Sequence, residues 1–405
     1  MLGYRKKSFL RAHELLTRLR SHLDDMDVLR KLQQLLVREI VRAERKGRQI
    51  RGDLKAVQGN AGTTSKKASS LKRRLDKVRQ VAYVWRCFGD AIAFVYMDKF
   101  ALKQSFYSIH STNPKQGAGF LADKQGLAGE VNLVETALEA GVPALLTDIT
   151  NTIRYGDVCI MGNADPVLIE VKSSKNLDKR GKRQKRELEQ LDQLFQTDKA
   201  ENWRGMGQVR RVAFYSGDEE KLYLNELQSA ISAALDRGYC VTQPEPGLYY
   251  VVFAPGAPPV SEVLKTLSFK SPWLFFLNTV KNDQAWSPYV PFTLSIRDCD
   301  HLWAFIRGEV FIVVSLDFEE LVDIVKKAGA SAQLDLQNKD YHLRLEIPGL
   351  ESGAMASSHI LARIGLEFVS PRWLIESSIE GLRNGTAEIL KESELGHQGT
   401  WRAPD

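Results

Sequence analysis

Three charged side chains sit where the surrounding sequence reads as buried strand. In GDVCIMGNADPVLIEVKSSKN, residues 156–176, Asp157 opens one apolar run, and Glu170 and Lys172 close the next. Burying unpaired charge is costly, so something must compensate. Strand side chains alternate faces. Glu170 and Lys172 therefore share a face with Leu168, and Val167, Ile169 and Val171 take the face that packs on the core. Asp157 precedes Glu170 by 13 residues, and a hairpin through GNADP brings the two carboxylates to one strand end. Neighbouring carboxylates repel unless a cation lies between them. Hard oxygen donors suit Mg2+ or Mn2+, which keep several waters and share coordination with phosphate. Such an ion offsets charge on a phosphodiester and lowers the pKa of an attacking water. The Lys172 amine would orient that water or offset transition-state charge. The plainer alternative is a Glu170–Lys172 ion pair on an edge strand. PVLIEV is too apolar for an exposed edge, so the pattern reads as a central strand.

The elements that must position these groups follow from periodicity. LAGEVNLVETALEAG is a helix ending at Gly141. On its wheel Glu130 falls beside Leu127, Val134 and Ala137 and points inward, whereas Glu135 lies off that stripe. VPALLTDIT, TIRYGDVCIM and PVLIEVKSS read as strands, KRQKRELEQLDQLFQTD as a helix and QVRRVAFYSG as a further strand. Asp148, in LTDITN, is within reach of the strand end, but its first reading is a turn-capping residue.

This arrangement resembles the PD-(D/E)xK nuclease superfamily, whose fold is called restriction-endonuclease-like. Asp157, in YGD, matches the motif's aspartate, and Glu170 and Lys172, in IEVK, match its E-x-K pair. Glu130, in GEVNLVE, matches the acidic residue many members carry on the helix before the sheet. Gln184, in KRQKRELEQL, matches the glutamine some members carry on the following helix, with Gln190 a second option. Gly156 stands where the literal motif has proline, and the similarity covers residues 125–216. The resemblance implies an α/β fold with a restriction-endonuclease-like αβββαβ core, and periodicity adds an N-terminal helical region and a C-terminal α+β domain on either side of it. It implies a metal-dependent deoxyribonuclease using Mg2+ (or Mn2+), with Asp157, Glu170 and Glu130 as metal ligands and Lys172 and Gln184 completing the catalytic set. It also suggests a context of bacterial restriction or anti-phage defence. An RNA nuclease, and a catalytically silent nucleic-acid-binding scaffold with the same fold, remain alternatives.

From Lys172 to Arg186 there are eight Lys/Arg and one Asp, with Gly181 expected to break the run into a loop. Lys175, Lys179, Arg180, Lys182, Arg183, Lys185 and Arg186 are candidates for gripping phosphates beside the cleavage centre. The net charge of +6 hides a second asymmetry: residues 1–80 carry 22 Lys/Arg against 8 Asp/Glu. Segregated positive charge points to a polyanionic partner, DNA first and RNA second. The stripe Leu29, Leu32, Leu36 and Ile40 predicts an amphipathic helix packed in a hairpin or short coiled coil, and 58–70 has linker composition. Three domains are expected: a basic helical arm (1–80), a nuclease-like domain (81–216) and an α+β domain (217–405) without a chemical motif. The helical arm or the last domain would mediate a homo-oligomer or a protein partner. The last residues, ELGHQGTWRAPD, read as a loose tail. No run of 18 apolar residues and no secretory signal occur, and four scattered cysteines fit a reducing cytoplasm. No G-x-x-x-x-G-K-[ST] loop, H-E-x-x-H or G-x-S-x-G is present.

Overall fold

The computed structural model describes residues 5–59, 65–117, 119–171, 179–211, 219–335, 337, 341–349 and 354–398. It is a mixed α/β protein with several small antiparallel sheets. The chain divides into two compact units. The first comprises residues 1–210 and 281–294, the second 211–280 and 295–405.

In the first unit, α1 (Lys6–Ser21) and α2 (Met26–Gly59) form a helical hairpin. Phe9, Ala12, Leu16 and Leu19 of α1 and Leu29, Leu32, Leu36 and Ile40 of α2 are almost wholly buried. Fully burying one leucine is worth about 1.5–3 kcal/mol, so this seam outweighs the modest propensity of a basic sequence. Asp25 accepts a bond from the Val28 amide at 2.9 Å, satisfying one of the free donors at the start of α2. Helix α3 (Ser65–Tyr96) packs back on α2 through Ala43, Ile50, Leu71, Leu75, Val78 and Ala82. Residues 65–70, read from composition as linker, are helical.

The short α4 (Lys99–Gln104) leads through a loop to α5 (Leu127–Glu139). There follow β1 (Ala144–Leu146), a 3-10 turn at Thr147–Ile149, β2 (Val158–Ile160) and β3 (Val167–Ile169). These strands form one antiparallel sheet in the order β1-β2-β3, with Leu146 opposite Val158 and Val158 opposite Ile169. Among the described residues β3 is thus an edge strand, not the central one its apolarity suggested. The expected faces also differ: Val167 is exposed, and Leu168 packs against the cluster formed by Tyr155, Leu191, Leu194 and Trp203. A short apolar run fits either phase of the pleat, and what packs over it decides which one is used.

Helix α6 (Lys179–Thr197) follows, and its span includes Gly181, which does not break it. One glycine costs a helix only about 1 kcal/mol, which a good flanking sequence offsets. The strands β4 (Lys199–Trp203) and β5 (Met206–Arg210) make a separate two-stranded sheet. The remainder of the strand expected at QVRRVAFYSG, residues 212–217, lies outside the described residues.

The second unit begins with α7 (Leu224–Arg237), β6 (Tyr239–Glu245), β7 (Leu248–Phe253), α8 (Val260–Lys265) and β8 (Pro272–Phe276). α9 (Leu277–Asn282) and α10 (Phe292–Ser295) then bracket residues 281–294, which belong to the first unit, and α11 (Cys299–Arg307), β9 (Phe311–Asp317) and α12 (Phe318–Lys327) resume the second. The sheet order is β6-β7-β9-β8, antiparallel throughout. A second sheet holds β10 (Ser331–Leu334), β11 (Tyr341–Glu346) and β12 (Ala354–Ser357). The helices α13 (Ser358–Leu366) and α14 (Pro371–Gln398) complete it. The start of the expected loose tail, through Gln398, is helical. Among the described residues no helix is long and apolar enough to cross a membrane.

Candidate functional site

The strand ends and the start of α5 bring acidic side chains together. Glu130 occupies the first turn of α5 and is 3% exposed, as its place on the apolar stripe predicts. Asp157 sits just before β2. Its amide donates to Ile169 O at 2.8 Å, its carbonyl accepts from Thr147 N at 3.0 Å, and its Oδ2 accepts from Val171 N at 2.9 Å. Asp157 therefore links the end of β1, the start of β2 and the end of β3. Gly156 makes this possible. It adopts φ +68°, and a Cβ there would lie 3.0 Å from Ile169 O. Proline is locked near φ −65° and cannot take this conformation, so position 156 could not hold one.

Asp148 belongs to the same cluster. Beyond the turn-capping role its sequence suggests, its carboxylate in the 3-10 turn after β1 pairs with the same lysine as Asp157. All three carboxylates meet the ammonium of Lys124: Nζ lies 2.9 Å from Glu130, 2.7 Å from Asp148 and 3.0 Å from Asp157. Burial pulls the Lys124 pKa down, but its hydrogen bonds to Asp148 and Glu130 outweigh this, leaving it above the ordinary lysine value. Burial raises the Glu130 carboxyl; the Lys124 bond opposes this, and the charges of Asp157 and Asp148 reinforce it. Pattern reasoning missed Lys124, in LADKQG. The available signal was arithmetic: several carboxylates converging on one strand end require a cation, and this lysine precedes the helix that carries Glu130.

The backbone around Lys124 is braced from α2 and α3. Glu44 accepts from the Ala122 amide at 2.8 Å and pairs with Arg86 at 2.6 Å. Arg86 in turn donates to Asp148 O at 2.9 Å. Asp90, buried on α3, accepts from the amides of Asn151 and Thr152, both at 2.8 Å, and fixes the loop after the turn. Gly89 lets α3 press against this turn, since a Cβ there would fall 1.9 Å from Ile149 O.

Glu170, half-buried after β3, lies within electrostatic range of Lys115, which bonds Glu187 of α6 at 2.8 Å. Lys172 and Lys175 lie outside the described residues, as do the side chains of Lys179 and Arg180. Gln184 is half-buried on α6 and, among the described residues, makes no hydrogen bond to Glu130, Asp148 or Asp157. Lys182, Arg183, Lys185 and Arg186 are exposed. Arg183 pairs with Glu187 at 3.6 Å and Lys185 with Glu189 at 3.5 Å, so part of the basic charge is compensated along the helix.

The donor set is entirely carboxylate, the chemistry preferred by Mg2+ and Mn2+. One ammonium balances only one of the three negative charges, and the surplus favours a divalent cation. Among the described residues no three His, Cys, Asp or Glu side chains are already spaced as a metal cage. The oxygens are arranged around Nζ of Lys124 instead.

No protein-family model matches this sequence, and no curated protein or solved structure shows a significant match.

Proposed function

We propose that the protein is a metal-dependent nuclease acting on DNA, with its centre at Glu130, Asp148, Asp157 and Glu170. The observation carrying this reading is the convergence of three carboxylates from α5, the β1 turn and the start of β2 on one cationic position. The spacing of Asp157, Glu170 and Lys172 in the sequence supports it independently. Glu130, Asp148 and Asp157 would hold a Mg2+ or Mn2+ ion, and Glu170 joins them in this reading through its place in the sequence pattern. A bound divalent cation supplies charge neutralisation at phosphoryl oxygens and a lowered pKa for water. Asp157 stays oriented because its second oxygen is fixed by the Val171 amide. Lys172 would hold the attacking water and take up charge on the phosphoryl oxygens.

A second reading has one observation in its favour. Lys124 already provides a positive charge to all three carboxylates. A chain that keeps this arrangement permanently would be a nucleic-acid-binding scaffold without turnover.

The test is incubation of the purified protein with supercoiled plasmid, linear duplex, single-stranded DNA and RNA, in Mg2+, Mn2+ or EDTA. Metal-dependent cleavage lost in both Asp157→Ala and Lys172→Ala is expected. Cleavage unchanged in both variants removes the assignment. No cleavage, with no Mn2+ uptake by calorimetry even with DNA present, favours the scaffold.

A further inference from the structure

The loop leading to Lys124 carries an aromatic ring where solvent would disfavour one. Phe120 is 54% exposed. The Arg51 guanidinium of α2 lies 4.9 Å from the centre of its ring, and among the described residues Arg51 has no carboxylate partner. Ring and guanidinium both line a cavity of about 270 Å³, whose wall also includes Arg79, Arg86, Asn151 and Gln284. The cavity adjoins the carboxylate cluster, because Arg86 bonds Asp148 O and Glu44 bonds the Ala122 amide. Further along the same helix Arg45 and Arg48 share a single carboxylate, Asp123, and leave positive charge in excess.

We propose that Phe120 and Arg51 form a stacking platform for one unpaired base of a nucleic-acid strand, whose phosphates run along the arginines of α2 toward Lys124. The inference rests on the nuclease reading of the adjoining centre and narrows its substrate to a strand with an unstacked base, either single-stranded or frayed. A duplex held only by its backbone needs cations and no exposed aromatic. A free base needs a flat apolar face and a planar cation, and both are present here. Arg45 and Arg48 would then contact phosphates, and the cavity beside Phe120 would receive the base edge, where Gln284 offers an amide group.

The experiment is fluorescence anisotropy of the full chain with a labelled oligothymidylate and with a blunt duplex, in EDTA so that no cleavage occurs. A parallel strand carrying one 2-aminopurine reports stacking by quenching. The wild type should prefer the single strand and quench the probe. Phe120→Ala should weaken single-strand binding about tenfold, leave duplex binding nearly unchanged and abolish the quenching, whereas Phe120→Trp should retain all three properties. Phe120 is exposed, so the variant folds, which circular dichroism checks. Unchanged single-strand affinity and quenching in Phe120→Ala would overturn the platform, as would polyglutamate displacing the strand at equal charge concentration. Metal-dependent cleavage that survives such a result leaves the nuclease reading standing. Stacking by a protein that never cleaves supports the platform and counts against the nuclease alone.

Discussion

At the residue scale the decisive group is Lys124. Its ammonium is the only described cation within hydrogen-bonding distance of Glu130, Asp148 and Asp157 together. Removing one partner from a buried ion cluster leaves uncompensated charge, which costs about 3–5 kcal/mol in full burial and less where solvent screens it. Lys124 is 24% exposed, so Lys124→Ala should destabilise the protein in EDTA by about 2 kcal/mol. Added Mn2+ should restore much of that loss, because the freed carboxylates then bind the ion without competition. Thermal unfolding with and without Mn2+ measures both effects. A variant as stable as wild type in EDTA, or one that Mn2+ leaves unrescued, would mean that the three carboxylates do not share one cation. Asp90 offers a contrast of a purely structural kind. Asp90→Asn places an amide donor opposite the Asn151 Nδ2 donor now bonded at 2.8 Å. A buried donor left facing a donor costs about 1–3 kcal/mol. Chemical denaturation should show this loss irrespective of metal.

At the element scale two glycines in helices make opposite predictions. Gly89→Ala would force α3 away from Ile149, because the new Cβ meets backbone that has no rotamer with which to yield. A loss of about 3 kcal/mol is expected, along with weaker metal affinity as the turn carrying Asp148 shifts. Gly52, within α2, has open space around the position of a Cβ, and Gly52→Ala should stabilise by about 0.5–1 kcal/mol. Urea midpoints of the two variants, read side by side, check the pair; movement in the same direction would refute the packing argument. The same elements show what the sequence made legible. The order α5, β1, β2, β3, α6 was readable from periodicity, and so was the inward Glu130, because a thirteen-residue helix fixes which positions share a face. The edge position of β3 was not readable, because period two identifies a strand but not its neighbours. Asp148 and Lys124 were not readable for a related reason. Each is a polar residue in a turn or loop, with no periodicity of its own, and its role arises from ion pairs between residues 6 to 33 positions apart. Gly181 misled because a local helix-breaking signal was weaker than the propensity of the residues flanking it.

At the scale of the whole molecule the chain revisits its first unit after leaving it. Residues 281–294, which composition had assigned to the C-terminal remainder, belong with 1–210. Trp286 donates its amide to Tyr83 Oη at 3.2 Å, Thr293 Oγ1 donates to Cys87 O at 2.9 Å, and Gln80 Nε2 donates to Lys281 O at 2.8 Å. A chain cut after Arg210 would lose this segment and expose the α3 surface it covers, so it should unfold at lower temperature than the full protein. The returning segment also brings in a buried amine. Lys281 is 2% exposed, and burial lowers its pKa to about 8. The folded state therefore binds this proton less tightly than the unfolded chain, whose lysines titrate near 10.4. Below pH 8 both states are protonated and the folded state carries the full cost of the buried charge, on the order of 3 kcal/mol. Between about pH 8 and 10.4 only the unfolded chain stays protonated, so the contribution of this residue to stability rises with pH. Lys281→Met removes the charge while keeping an unbranched side chain of similar length. The variant should melt several degrees above wild type at pH 7, and the difference should shrink as the pH approaches 10. Because all other titrating groups are common to both proteins, the difference between their melting temperatures isolates Lys281. A difference independent of pH would show that the folded and unfolded states hold this proton equally well, and that the returning segment seats its lysine without an electrostatic cost.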